Sequence, residues 1–385
     1  MKYHYKEIGG AIMATQTASD IIDDIFNKTK EEINKLMPVN IMIIGKTGIG
    51  KSTLINNVFR EKLAETGIGK PVTKHLRKIT KSGIPLCIYD TKGLELKDDI
   101  QEEIINEING KIDELYFKQD EKEYIHAIWY CINSNSNRIE ELEIELINSF
   151  AKKVPVILVL TQSYGESAFE FKKFIEELNL NVKAIQPVLA EPFKITKDIT
   201  IPSYGLKELV GKTYEILPEG VKKAFNNAQK VDIERKVKEA RVWSTSYIAG
   251  SFGAGFTPIP FSDAALLVPM QIGMLAHITA IFGVSLDKAL ISGIVASIGG
   301  SGGATFLGRY IVSNLLKLIP GVGTVAGGVI SGSTASVLTT ALAFSYIEVM
   351  SKVAEAEYQG KSYDNEQIAK MMKELYEENI KHEKN

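Results

Sequence analysis

The chain has 385 residues, of which 45% are hydrophobic and 24% are charged. This composition is typical of a folded protein rather than a disordered one, and the length predicts two domains. Lysine and arginine number 45 against 47 acidic residues, so the formal charge of -2 argues against nucleic acid as a partner.

The two cysteines, Cys87 and Cys131, lie in apolar runs without a second cysteine or histidine at metal-ligand spacing. We therefore expect neither a zinc site nor a disulfide framework. The first 20 residues contain no apolar run of signal-peptide length, so a cytoplasmic location is expected.

The first predicted element is an amphipathic helix that begins near Ser19 and ends near Met37. One face of this helix carries Ile22, Ile25, Thr29, Ile33 and Leu36. Residues 1–37 are therefore interpreted as an amino-terminal tail and helix.

From residue 38 to residue 217, short apolar runs alternate with helical stretches rich in glutamate and lysine. The runs read VNIMII, IPLCIYD, YIHAIWYCI and VPVILVL. This alternation predicts an α/β domain. VNIMII and VPVILVL are apolar on consecutive residues, which is typical of central strands covered by helices on both faces.

Residues 218–385 have a different composition, which predicts a second domain that is all-α. Between Val242 and Ile347, the charged residues are Asp263, Asp287, Lys288, Arg309 and Lys317. Prolines and glycines divide this region into segments of helical length. A charged stretch from Asn365 to Lys384 predicts a solvated amphipathic helix at the end.

A phosphate-binding motif follows the run VNIMII. Gly45 to Ser52 reads GKTGIGKS, which fits G-x-x-x-x-G-K-[ST] and precedes the helix-like STLINNVF. In such a loop, backbone N–H groups at a helix N-terminus converge on phosphate oxygens. Lys51 would reach the β- and γ-phosphates, and the Ser52 hydroxyl would bind magnesium. The predicted nucleotide-binding residues of this loop are Gly45, Lys46, Thr47, Gly48, Ile49, Gly50, Lys51, Ser52 and Thr53.

A second motif, DTKG, ends the run IPLCIYD. Asp90 at the tip of a neighbouring strand can hold magnesium through water, and the Gly93 N–H can contact the γ-phosphate. Position downstream of the first motif favours this function over an ordinary turn.

Between the two motifs lies the segment ETGIGKPVTKHLRKIT. Thr73 is the candidate second hydroxyl ligand of magnesium, in a loop that could order around the γ-phosphate, and Thr66 is the competing residue. The predicted metal ligands are thus Ser52, Thr73 and Asp90, and the predicted catalytic groups are Lys51, Thr73 and Gly93.

The order GKTGIGKS, PVT, DTKG and VILVLTQSY, over residues 39 to about 217, resembles P-loop GTPases, especially Era-like, dynamin-like and immunity-related members. The second half, with TPIPFSDAALLVPMQIGMLAHI, is similar to the YcjF-type helical domain, which has no assigned function. The resemblance implies a mixed, mostly parallel sheet flanked by helices, with GTP or GDP and magnesium as ligands. It also implies a helical effector domain that responds to the nucleotide.

The base-reading motif departs from the pattern of these GTPases. Where they have N/T-K-x-D, this chain has Thr161 and Gln162 but no aspartate. Gln162 could stack on the base through its aliphatic part. Glu166 is an alternative acceptor that is also typical of a helix start, and Ala190 can offer a backbone N–H. Preference for GTP over ATP therefore rests on the resemblance.

Leu94 stands where many relatives have a glutamine that orients the attacking water. We therefore expect slow hydrolysis, with a stabilising cation from Lys46, Lys74 or Arg77, or from a second subunit. A second subunit in that role would form a homodimer through the nucleotide face.

Two uncharged stretches, Ala264–Leu286 and Leu318–Ile347, are long enough to cross a bilayer, although a buried soluble bundle fits them equally well. Three hypotheses follow. The chain is a GTP-hydrolysing switch whose helical domain contacts a membrane or a protein effector, a nucleotide-binding module with negligible turnover, or a membrane-perturbing protein under nucleotide control.

Overall fold

The computed structural model describes residues 5–8, 11–14, 18–60, 62–73, 75–91, 101–254, 262–284, 291, 294 and 332–382. Contacts divide the chain into two compact units. One is Ile33–Asp232, and the other combines Met1–Glu32 with Ile233–Asn385.

The amino-terminal elements are a short antiparallel strand pair and a helix. They are β1 (Tyr5–Ile8), β2 (Ala11–Ala14) and α1 (Ala18–Lys35). The helix lies where its periodicity predicts it, and its buried positions are Ile21, Ile25, Thr29 and Ile33. Within the predicted apolar face, Ile22 and Leu36 are only partly buried.

A seven-stranded sheet forms the centre of the unit Ile33–Asp232. Its strands are β3 (Val39–Ile44), β4 (Ile68–Pro71), β5 (Leu76–Lys81), β6 (Ile84–Thr91), β7 (Ala127–Asn133), β8 (Val156–Thr161) and β9 (Ala184–Pro187). The spatial order is β4-β5-β6-β3-β7-β8-β9. In this order, the neighbours β6, β3, β7, β8 and β9 pair in parallel. The pairs β4–β5 and β5–β6 are antiparallel. This mixed, mostly parallel sheet confirms the predicted α/β fold class.

Helices cover both faces of this sheet. They are α2 (Lys51–Val58), α3 (Leu63–Thr66), α4 (Gln101–Phe117), α5 (Glu141–Ala151), α6 (Glu166–Glu177), α7 (Leu206–Ile216) and α8 (Glu219–Ala228), and a short pair, β10 (Phe193–Lys194) and β11 (Thr200–Ile201), precedes α7. Successive side chains of a strand point to opposite faces. Accordingly, Ile41 and Ile43 of β3 pack into one core and Met42 and Ile44 into another. The two cores contain the five apolar residues of β3, and its one polar residue, Asn40, is buried as well, which explains why the strand is apolar on both faces.

Helix α8 belongs to the sheet unit, although the predicted domain boundary lies before it, at residue 217. Its residues Val221, Ala224, Phe225 and Ala228 follow the spacing of a helix face and pack into the core with β3 and α2. The drop in charged residues that suggested a boundary begins only at Val242, so composition alone does not locate the end of this unit at Asp232.

The second unit contains four further helices within the described residues. They are α9 (Ile233–Ala254), α10 (Ser262–Phe282), α11 (Gly332–Tyr358) and α12 (Asn365–His382). The last helix lies where the charged stretch predicts it and buries one residue per turn, namely Ile368, Met372, Tyr376 and Ile380. The interior also holds polar contacts, such as that between the hydroxyls of Thr279 and Tyr346, 2.6 Å apart.

One helix in the described part of the chain is long and apolar enough to cross a membrane, Ser336–Tyr358, with a mean hydropathy of 1.3. Of its apolar window, 61% is buried in the structure. A buried core helix passes the same test of length and composition. The predicted stretches Ala264–Leu286 and Leu318–Ile347 lie partly outside the described residues.

Candidate nucleotide-binding site

The predicted motifs meet at one edge of the sheet. Strands β3, β6, β7 and β8 are parallel, so their carboxyl ends lie side by side. The register pairs Ile43 of β3 with Asp90 of β6, and Asn133 of β7 with Thr161 of β8. This edge is where open α/β sheets generally bind ligands.

Glycine is required at the start of the loop between β3 and α2. Gly45 is buried with a φ of 151°, and a Cβ there would collide with Ile49 Cδ1 and lie 2.6 Å from the Cys131 carbonyl oxygen. Gly50, with a φ of 95°, precedes the first turn of α2. The loop therefore packs tightly against β7 while leading directly into a helix N-terminus.

Lys51 is buried under this loop, with 9% of its surface exposed. Its Nζ donates hydrogen bonds to the carbonyl oxygens of Gly45 at 2.7 Å and Lys46 at 2.9 Å. Burial lowers the pKa of the Lys51 ammonium, and the nearby Asp90 carboxylate opposes that shift. The structure thus places the ammonium and the carboxylate in the same small region.

The outer part of the loop is open to solvent. Thr47, Gly48 and Ser52 are exposed, Thr53 is partly buried, and Ile49 packs into the core. The first N–H groups of a helix have no partner within it and carry a partial positive charge. The exposed start of α2 is therefore suited to an anion.

The ammonium group of Lys46 is paired with glutamates at α5 rather than with Asp90. Its Nζ lies 2.8 Å from Glu140 Oε1 and 3.3 Å from Glu143 Oε2, at the start of α5. The hydrogen bond from Lys46 lowers the pKa of Glu140, and Glu143 is buried. Of the candidate cations, Lys46 is thus engaged with α5.

Asp90 is 5% exposed and uses its two oxygens unequally. Oδ2 accepts a hydrogen bond from Arg77 Nε at 2.9 Å, and Arg77 Nη2 forms an ion pair with the same oxygen at 2.8 Å. Oδ1 is buried and has no hydrogen-bond partner among the described residues. A free, buried carboxylate oxygen fits a magnesium ligand, directly or through water.

No group of three or more histidine, cysteine, aspartate or glutamate residues that could hold a metal occurs in the described ranges. Magnesium commonly binds through one or two carboxylates together with substrate phosphates. Asp90 with the Ser52 hydroxyl matches that donor set.

The segment around Thr73 is a hairpin rather than an irregular loop. Thr73 lies in the turn between β4 and β5, where its hydroxyl is hydrogen-bonded to the Glu107 carboxylate of α4 and accepts from the Leu76 N–H at 3.1 Å. Glu107 also accepts from the His75 N–H at 2.9 Å. In the structure the Thr73 hydroxyl is bonded to α4, so its role as a magnesium ligand stays a prediction.

Several predicted residues lie outside the described part of the chain. They are Lys74, Gly93 and Leu94, together with the side chain of Thr66.

The base-reading segment is joined to the phosphate loop. Gln162, at a φ of 51°, donates from Nε2 to the Gly48 carbonyl oxygen at 3.3 Å and accepts from Asn133 Nδ2 at 3.1 Å. The Thr161 hydroxyl donates to the Ile132 carbonyl at 3.1 Å. Ala190 is partly buried in the loop after β9.

Tyr164 follows this segment and stacks on Phe193, with ring centroids 4.0 Å apart. Glu166 is exposed at the start of α6, which fits its interpretation as a helix-start residue.

The sequence motifs missed the partners that hold this site. Glu107 holds Thr73, Glu140 and Glu143 hold Lys46, and Asn133 holds Gln162. Asn133 could have been found, because it directly ends an apolar strand run. The glutamates lie on amphipathic helices, where nothing in the local pattern distinguishes them.

Comparison with known proteins agrees with this geometry. Residues 40–162 match the family model described as 50S ribosome-binding GTPase. This stretch covers the glycine-rich loop, Asp90 and Gln162. It forms a domain of the P-loop GTPase class.

The chain is also similar to several curated septins and related proteins. Septin-14 of Mus musculus is 26% identical over 176 residues, which cover 39% of this chain and 40% of that protein. Neuronal-specific septin-3 of Rattus norvegicus is 28% identical over 190 residues, covering 42% and 52%. Cell division control protein 12 of Saccharomyces cerevisiae is 21% identical over 221 residues, covering 49% and 54%. The chain spans about half the length of these relatives.

The two cysteines give a test of the packing beneath the loop. Burial raises the pKa of both Cys87 and Cys131 to about 12. At about pH 8.5, roughly one thiol in 3,000 is then ionised. We expect iodoacetamide to leave both cysteines unmodified in the native protein, as measured by mass spectrometry. The same protein in denaturant is the control and should be alkylated fully. Alkylation of native Cys131 at the denatured rate would show that the loop does not pack on β7 as described.

Proposed function

We propose that this protein binds GTP and GDP with magnesium and hydrolyses GTP slowly, as a nucleotide-controlled switch. The observation that carries the proposal is the buried ammonium of Lys51 under a glycine-rich loop, next to an aspartate with a free buried oxygen. The match of residues 40–162 to a GTPase family model supports the choice of nucleotide.

The phosphates are proposed to lie over the exposed start of α2. Main-chain N–H groups between Gly48 and Thr53 would donate to phosphate oxygens, and the Lys51 ammonium would neutralise the β- and γ-phosphates. Because the Lys51 ammonium already lies beneath the loop, it needs little rearrangement to serve an anion above it.

Magnesium is proposed to be held by the Ser52 hydroxyl and by Asp90. When bound, the ion neutralises negative charge that develops between the β- and γ-phosphates. The Thr73 hydroxyl would be a further magnesium ligand, and the Gly93 N–H would contact the γ-phosphate. For Thr73, this role requires its hydroxyl to exchange the Glu107 carboxylate for the metal.

Guanine is proposed to lie against Gln162, flanked by Thr161 and the backbone of Ala190. Both atoms of the Gln162 side-chain amide are hydrogen-bonded, Oε1 to Asn133 and Nε2 to Gly48, so its aliphatic part can serve as a fixed surface for the base. No carboxylate occupies the position of the usual base-reading aspartate, since Tyr164 stands there. Discrimination against adenine should therefore be weaker than a charged acceptor would give.

Titration calorimetry with GTP, GDP, ATP and ADP in magnesium buffer tests nucleotide binding, and phosphate release tests turnover. Lys51→Ala should weaken GTP binding by at least about 100-fold, because a buried cation facing the phosphates is lost. Wild-type turnover without a partner should be on the order of 10⁻³ per second.

Lys62→Ala, at the residue that precedes helix α3, is the matched control and should bind as the wild type does. If no purine triphosphate binds in the presence of magnesium, the proposed function is wrong. Binding without release above the Lys51→Ala background would instead favour a nucleotide-binding module with negligible hydrolysis.

The helical unit is proposed to be the effector of this switch, in a cytoplasmic protein that contacts either a protein partner or a membrane. The motif order of Era-like and dynamin-like GTPases, with a YcjF-type domain, motivates this interpretation, as does the apolar helix Ser336–Tyr358. A homodimer through the nucleotide face would be one source of a stabilising cation.

Flotation with vesicles that contain anionic lipid tests the membrane contact. Because more than half of the apolar window of this helix is buried, membrane contact requires the unit to open. We therefore expect co-flotation with a non-hydrolysable GTP analogue and little with GDP. Absence of co-flotation in both states would remove the membrane from the proposal.

A further inference from the structure

The pair formed by Arg77 and Asp90 is built into the sheet register. The two residues lie directly opposite each other on the antiparallel strands β5 and β6. The guanidinium Nε donates a hydrogen bond to Oδ2, and Nη2 lies 2.8 Å from the same oxygen in an ion pair. The pair is therefore fixed by backbone pairing as well as by its own hydrogen bonds.

The pair is poorly solvated on the carboxylate side. The side chain of Asp90 is 7% exposed and that of Arg77 is 33% exposed. Charges act more strongly on each other where water is excluded. The positive charge of the guanidinium therefore offsets much of the electrostatic attraction that the Asp90 carboxylate would otherwise exert on a metal ion.

The other oxygen of the carboxylate, Oδ1, takes no part in the pair. Oδ1 has no hydrogen-bond partner among the described residues, so a cation can approach it without breaking the pair at Oδ2. A metal and Arg77 would then share one carboxylate from its two sides.

The charges around this carboxylate favour an anion over a free metal. Lys51 and Arg77 contribute two positive charges against the one negative charge of Asp90. The charges of Asp90 and Arg77 both act on the Lys51 ammonium. The further cation of the loop, Lys46, is paired with Glu140 and Glu143. A divalent cation alone is disfavoured by this balance, whereas a polyphosphate that brings its own metal restores neutrality.

We propose that Arg77 is a positioning residue that lowers the magnesium affinity of Asp90, so that the metal is held only together with a nucleotide. This inference rests on the proposed function and deepens it, since it concerns the metal affinity of the same site. Arg77 also lies four residues after Thr73 on one hairpin, so the pair fixes that hairpin against Asp90.

Arg77→Gln, studied with a fluorescent GDP analogue in the full-length chain, tests this inference. The expected result is a fall of about tenfold in the apparent magnesium Kd of the nucleotide complex, because Asp90 regains its unscreened charge. GDP affinity in EDTA should weaken only a few-fold, through loss of one cation. Free magnesium should stabilise the variant against thermal unfolding more than it stabilises the wild type.

Lys78→Gln is the matched control, since Lys78 is the next residue of β5 and pairs with Glu123 at 3.4 Å. Its magnesium Kd should equal that of the wild type. Arg77→Lys keeps the charge while losing the planar fork, and it should stay within about twofold of the wild type. If Arg77→Gln folds poorly, Arg77→Met, which also removes the charge, takes its place with the same expected tenfold fall in the magnesium Kd. In an Asp90→Asn background, Arg77→Gln should no longer change the magnesium Kd.

An unchanged or raised magnesium Kd in folded Arg77→Gln would overturn the inference, because a purely structural pair predicts that outcome. If wild-type protein fails to bind the GDP analogue even with magnesium, the proposed function fails instead. The two failures are therefore separate.

Discussion

The buried ammonium group of Lys51 is the constraint on which the site depends. Removing a charged amine from water is costly unless hydrogen bonds and opposite charge compensate it. Here the carbonyls of Gly45 and Lys46 accept its hydrogen bonds and Asp90 supplies the opposite charge. Those carbonyls can converge only because the loop turns tightly against β7, where a side chain at position 45 would collide. The buried charge of Lys51 thus couples the sheet, the loop and helix α2.

Three charged or polar contacts connect the residues of this site to neighbouring elements. Lys46 reaches α5, the Thr73 hydroxyl reaches Glu107 on α4, and Arg77 joins the β4–β5 hairpin to Asp90. Each contact involves a residue that the loop or the hairpin would offer to a nucleotide or its metal. A metal bound at the edge of the sheet would compete with the contact between Thr73 and Glu107, which gives a switch a physical route from the phosphates to α4, whereas the pair of Arg77 and Asp90 would remain.

The parts that the sequence predicts well depend on local pattern. GKTGIGKS follows the mostly apolar run VNIMII and precedes a helical one, so the sequence alone places its strand, loop and helix. Asp90 and Thr161 end strands and hence lie at the same edge. What the pattern cannot give is pairing between strands and helices. The opposition of Arg77 and Asp90 depends on antiparallel register, and β4 and β5 are too polar on one face to be distinguished from a loop. Likewise, the attachment of α8 to the sheet depends on tertiary packing rather than on composition.

The most direct measurement is a crystal structure of the full chain with magnesium and a non-hydrolysable GTP analogue. The account predicts the β-phosphate over the start of α2, within hydrogen-bonding distance of the Lys51 ammonium and the backbone N–H groups of the loop. Magnesium should lie between the Ser52 hydroxyl and Asp90. Nucleotide bound away from this loop, or Lys51 still bonded only to the carbonyls of Gly45 and Lys46 with the nucleotide present, would contradict it.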